Sequence, residues 1–234
     1  MKLLPDWLKN GYLRTINPIA DWMVRRRVNP NLLTTVGTLF SIAGGVIYAT
    51  GHIRTAGWLL GLTALFDILD GNVARRTGQT TVFGAFYDST LDRVADGAVM
   101  GGLAIFYATS VLHGSKIMLA TCILGIIGTF LVSYTRARAE ALGIDAKVGM
   151  MQRAERVVLL TAPQAFFGLA LGGYILASVI VLLTVTAWIT AVQRIMVVYR
   201  ATTTPRVEVP QSTDTSGQSP DIFRLSASPA LKGK

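Results

Sequence analysis

The chain has 234 residues, 51% apolar and only 15% charged, with a formal net charge of +9. Charge this sparse, set between several long apolar runs, excludes a soluble domain and points to a polytopic membrane protein. The basic residues form no continuous patch outside those runs, which argues against a nucleic-acid binder. The single cysteine, Cys122, excludes a disulfide framework within one chain and reads as a small packing residue.

Residues 1–28 intersperse Trp7, Leu8, Tyr12, Ile19, Trp22 and Met23 with Lys9, Arg14, Asp21 and Arg25 to Arg27. Aromatics mixed with basic residues predict an interfacial amphipathic helix lying at the headgroups. The same stretch lacks the apolar centre of a cleavable signal. Asn29-Pro30-Asn31 then breaks the chain, and Pro30 with Asn31 can open a helix.

Residues 29–202 read as an all-α, six-helix transmembrane domain, with spans at about 32–50, 55–76, 84–109, 116–140, 152–171 and 174–200. Pro163 predicts a kink in the fifth span. Outer turns are expected at 51–54, 110–115 and Gly172-Gly173, and inner loops at 77–83 and 143–151. Only Arg54 and Lys116 fall in or beside the outer turns. That asymmetry places both termini and the inner helix ends on the cytoplasmic side of a cell membrane. Residues 203–234, rich in Ser, Thr, Pro and Gln, predict a disordered cytoplasmic tail.

Four carboxylates stand out against this background. Asp67 and Asp70 lie three apart near the inner end of the second span; Asp88 and Asp92 lie four apart at the start of the third. On helices each pair shares one face. A charge at mid-bilayer costs roughly 2.5–3.5 kcal/mol on the most lenient scale, so four unpaired ones would cost on the order of 10 kcal/mol. A divalent cation would offset that by turning mutual repulsion into ligation. Four hard oxygen donors suit Mg²⁺ or Mn²⁺ rather than zinc. Gly71 and Gly84 leave room beside the acidic residues for a backbone or substrate. Arg75 is a fixed cation suited to a phosphate. His52 and His113 fall in outer loops, across the membrane from the carboxylates.

Further basic residues crowd the inner ends of the later spans: Arg136, Arg153, Arg156 and Arg194. Arg194 sits about a turn and a half inside its helix, where facing lipid would be costly. Basic groups converging beside a metal site would bind a second anion.

The series Asp67-x-x-Asp70-Gly71-x-x-Ala74-Arg75, eight residues, Gly84-x-x-x-Asp88-x-x-x-Asp92 resembles the complete signature of the CDP-alcohol phosphatidyltransferases, and the six-span layout resembles them over about residues 28–200. The resemblance implies roles. Asp67, Asp70 and Asp88 would hold two divalent ions, and Asp92 would stand near the metals and act as general base. Gly71, Ala74, Arg75 and Gly84 would line the CDP-lipid site, with Pro30, Asn31 and Thr34 as a nucleotide-contacting element. The implied reaction moves a phosphatidyl group from CDP-diacylglycerol to an alcohol and releases CMP, and the family implies a homodimer.

The segments 134–140 and 153–156, together with Arg194, are similar to the prokaryotic phosphatidylinositol phosphate synthases, which implies that Arg136, Arg153, Arg156 and Arg194 bind the phosphate of inositol phosphate. The chain departs from them at Arg136, where a lysine is usual, and at Gln152, where a glutamate is usual. Glycerol 3-phosphate, as in phosphatidylglycerophosphate synthases, is the competing acceptor. Intramembrane prenyltransferases place their Asp clusters differently. A divalent-cation transporter would want carboxylates at the bilayer midplane, often between repeats; here they cluster at one end.

Overall fold

The computed structural model describes residues 21–26, 28–63, 81–151 and 153–203, without the side chains of 153 and 154. Among these residues all regular secondary structure is helical. The predicted second span is described only to residue 63. Most of the predicted interfacial helix and the 204–234 tail lie outside the described residues. Of the interfacial segment, residues 21–25 are helical, and the Arg26 guanidinium lies 5.8 Å from the centre of the Trp22 ring.

Helix α1 spans Pro30–Ala49. Pro30 suits its first turn, where no N–H is needed, and the Asn29 side chain caps it by accepting from Asn31 N at 2.9 Å. Helix α2 is described over 53–63. Helix α3 spans Val82–Thr109 and is capped by Thr81, whose hydroxyl accepts from Gly84 N at 2.9 Å. Helix α4 spans Lys116–Ala141 behind the Ser115 cap. Helix α5 spans Arg153–Phe167 and contains Pro163. A short 3₁₀ turn, Ala170–Gly173, leads into α6, Tyr174–Thr203. That turn uses positive φ at Leu171, Gly172 and Gly173, so the reversal predicted from Gly172-Gly173 begins one residue earlier.

Helix α1 packs along α3, α3 against α4, α4 against α6, and α5 against α6. Small residues set the closest approaches, as in membrane interiors where tight backbone contact replaces a hydrophobic drive. A Cβ on Gly102 would stand 1.9 Å from Gly45 O, so α1 and α3 touch backbone to backbone. In α4, Gly125 and Gly128 face α6, where a Cβ would meet Thr184 Oγ1 at 2.8 Å and Ala187 Cβ at 3.2 Å. Helix-to-helix hydrogen bonds reinforce this packing: Tyr48 Oη donates to Leu160 O at 3.0 Å, and Trp188 Nε1 to Leu124 O at 3.0 Å. Tyr48, Leu103, Cys122, Leu176 and Ile180 are fully buried in the shared core, which fits the packing role expected of Cys122.

Three of the described stretches are long and apolar enough to cross a membrane: Pro30–Ala49, Lys116–Ala141 and Ala170–Thr203. Many large apolar side chains point outward, among them Leu39, Val46, Ile105, Ile117 and Val185. In water such a surface would be a liability; in a bilayer it is the solvent-facing side.

Candidate active site

The site is built at the N-terminal ends of α1 and α3. The first turns of α3 carry Gly84, Asp88 and Asp92, four residues apart, on one face. Asp88 is exposed and Asp92 is partly buried. Arg93 Nη1 lies 3.6 Å from Asp92 Oδ2, and the same nitrogen donates to Ser89 O.

The first turn of α1 lies against this segment. Asn31 Oδ1 is 3.4 Å from where a Cβ on Gly84 would stand, so the absent side chain keeps the gap between them open. Thr35 Oγ1 and Tyr87 Oη share a hydrogen bond of 2.9 Å across the two helices. Thr34 Oγ1 donates back to Pro30 O at 3.2 Å. Pro30, Asn31, Thr34, Gly84, Asp88 and Asp92 therefore belong to one helix-end cluster.

Asp67, Asp70, Gly71, Ala74 and Arg75 lie outside the described residues. Among the described residues no group of three or more His, Cys, Asp or Glu comes together to hold a metal ion. Asp88 and Asp92 supply two hard oxygen-donor groups, the chemistry Mg²⁺ or Mn²⁺ prefers. His52 and His113 follow the C-terminal ends of α1 and α3, at the far end of both helices from Asp88 and Asp92.

The basic residues converge at the same level. Arg194 on α6 feels the charges of both Arg136 on α4 and Arg156 on α5. Its own position is fixed by backbone carbonyls: Nε donates to Val148 O at 2.9 Å, and Nη1 donates to Val132 O. A guanidinium has five N–H donors, so these two bonds leave capacity for an anion. Arg136 Nε donates to Glu140 Oε1 at 2.9 Å in an exposed pair one helical turn apart. The Arg153 side chain lies outside the described residues. Arg194 is repelled by both Arg136 and Arg156 and attracted by Glu140, and a bound phosphate would relieve the repulsion.

One polar residue escaped the sequence reading. Asp96 extends the four-residue series past Asp92 and lines an internal cavity together with Arg156. The signal was the spacing itself, continued one turn deeper.

The family model for CDP-alcohol phosphatidyltransferases matches residues 27–195. The chain belongs to that family. It is a transferase of phospholipid biosynthesis, and its apolar helices suit a membrane enzyme. Among its family relatives is the phosphatidylinositol phosphate synthase of Streptomyces avermitilis, 36% identical over 208 residues, covering 88% of this chain and 84% of that one. The archaetidylinositol phosphate synthase of Methanothermobacter thermautotrophicus is 36% identical over 187 residues, covering 80% and 90%. Among solved structures, Mycobacterium tuberculosis phosphatidylinositol phosphate synthase with CDP-DAG bound is similar with a TM-score of 0.72 at 31% identity, covering 80% of this chain and 94% of that one. The same enzyme in complex with manganese and citrate is similar with a TM-score of 0.71 at 31% identity, covering 79% and 88%.

Proposed function

We propose that this phosphatidyltransferase moves the phosphatidyl group of CDP-diacylglycerol onto a hydroxyl of inositol phosphate and releases CMP. The observation that carries the acceptor is the cluster of Arg136, Arg156 and Arg194, brought to one level by three different helices. A neutral acceptor would give no reason to hold Arg194 against the charges of Arg136 and Arg156. Arg153, next to Arg156 in sequence, is the fourth proposed contact. The relatives named above point to the same acceptor class.

Asp67, Asp70, Asp88 and Asp92 would hold two divalent ions, Mg²⁺ or Mn²⁺; a two-ion site neutralises pyrophosphate charge during in-line displacement. Gly71, Ala74, Arg75 and Gly84 line the CDP-lipid site, with Pro30, Asn31 and Thr34 on its nucleotide side. Asp92 takes the proton from the attacking hydroxyl. The new bond joins that oxygen to the phosphatidyl phosphorus; the bond to the CMP oxygen breaks. Six spans embed the site in the cell membrane, with the active end and both termini in the cytoplasm, and two copies form a homodimer.

The test is CMP release from CDP-diacylglycerol by purified protein with Mg²⁺ and a panel of inositol phosphate, glycerol 3-phosphate and inositol. Turnover with inositol phosphate alone is expected. Preference for glycerol 3-phosphate would replace the acceptor assignment and keep the family chemistry. Without CMP release for any acceptor, but with cation flux into vesicles, the chain would be a transporter.

A further inference from the structure

A cavity of about 70 Å³ lies between the helices, and its wall includes Thr63, Asp96, Thr129, Arg156, Thr161 and Thr184. Helices α2 to α6 each contribute a polar side chain to it. An engineered cavity of about 150 Å³ takes a benzene ring, so half that volume holds a few waters and no cyclic polyol. It is therefore not the pocket of the acceptor ring. Its wall joins two parts of the site: Asp96 lies one helical turn beyond Asp92 on the same face of α3, and Arg156 is one of the converging arginines.

A half-buried guanidinium costs free energy, and the charge of Arg194 close by raises that cost. A carboxylate sharing its cavity offsets both. We propose that Asp96 is a positioning residue for the acceptor site, holding the Arg156 guanidinium where it meets the acceptor phosphate through the hydrated cavity behind it. Asp96 touches neither substrate. This role rests on the acceptor reading above.

The experiment uses full-length protein and measures KM separately for inositol phosphate and CDP-diacylglycerol, together with the Mg²⁺ midpoint. Turnover of inositol phosphate by the unsubstituted enzyme tests the acceptor reading alone; the variants then test Asp96 with whichever phosphorylated acceptor is used. Asp96→Asn should raise the acceptor KM about tenfold or more, the scale of one charge-assisted hydrogen bond. The CDP-lipid KM and the Mg²⁺ midpoint should stay within about twofold. Asp96→Glu should recover most of the loss. Combining Asp96→Asn with Arg156→Ala should be no worse than Arg156→Ala alone, because the two act as one unit. Equal rises in both KM values, a raised Mg²⁺ midpoint, or additive losses would overturn the proposal. Should Asp96→Asn not fold, Asp96→Ser leaves room for water in place of the carboxylate, with the same expectation and the same refutation.

Discussion

At the scale of single residues, the proposed site separates groups expected to act on the reaction from groups expected to hold others in place. Asp92, the proposed base, is partly buried and has Arg93 Nη1 at 3.6 Å. Asp92→Asn should cut turnover by about 10²-fold or more, the scale of general base catalysis, while CDP binding persists; near-normal turnover would remove Asp92 as the base. Arg194 and Arg136 should behave differently from each other. Arg194 donates to two backbone carbonyls, on Val148 and Val132. Arg194→Ala should therefore raise the acceptor KM and also lower stability by about 1–3 kcal/mol. Arg136 engages the exposed Glu140, a pair worth about 0.3–0.5 kcal/mol. Arg136→Ala should raise the acceptor KM with almost no change in thermal unfolding. Measuring KM and melting on the same two variants checks both statements. The acidic spacing and the inner-end arginines were legible in the sequence because each depends on local periodicity. The bonds from Arg194 were not, since Val132 lies 62 residues away and nothing in the chain marks its carbonyl as a partner.

At the scale of helices, hydropathy located the elements and local chemistry moved their ends. The first span was expected at about 32–50 and runs Pro30–Ala49, because Asn29 caps it and Pro30 fits the opening turn. The third was expected from Gly84 and begins at Val82, because the Thr81 hydroxyl caps the Gly84 N–H. Hydropathy carries no information about such caps. It is equally silent on which helices touch. The crossing of α1 and α3 depends on Gly45 and Gly102, 57 positions apart in the chain. A Cβ on Gly102 would fall 1.9 Å from Gly45 O, whereas one on neighbouring Gly101 would meet nothing within 4 Å. Gly102→Ala should thus push the helices apart, cost several kcal/mol through backbone overlap, and lose activity. Gly101→Ala should be close to neutral. Thermal unfolding and turnover of the pair decide the point.

At the scale of the whole molecule, all described secondary structure is helical, and the residues of the proposed acceptor cluster come from three separate helices. Chelation should abolish turnover, and Mg²⁺ or Mn²⁺ should restore it, while zinc should not, given all-oxygen donors. Truncation at residue 204 should leave turnover unchanged, because the proposed catalytic residues all precede it; an inactive truncated enzyme would show that the tail contributes to the fold.

The glycine crossing also works as a fulcrum. Asn31 and Asp88 each lie fourteen residues from it, on α1 and α3 respectively, which is an arm of about 21 Å at 1.5 Å per residue. Helices tilt to match the thickness of the surrounding lipid. With no side chains at the pivot to absorb the motion, a rotation of about 5° would part those two ends by roughly 2 Å. Acyl-chain length in a reconstituted bilayer should thus tune how tightly the nucleotide is gripped, even where the lipid makes no contact with the reacting groups.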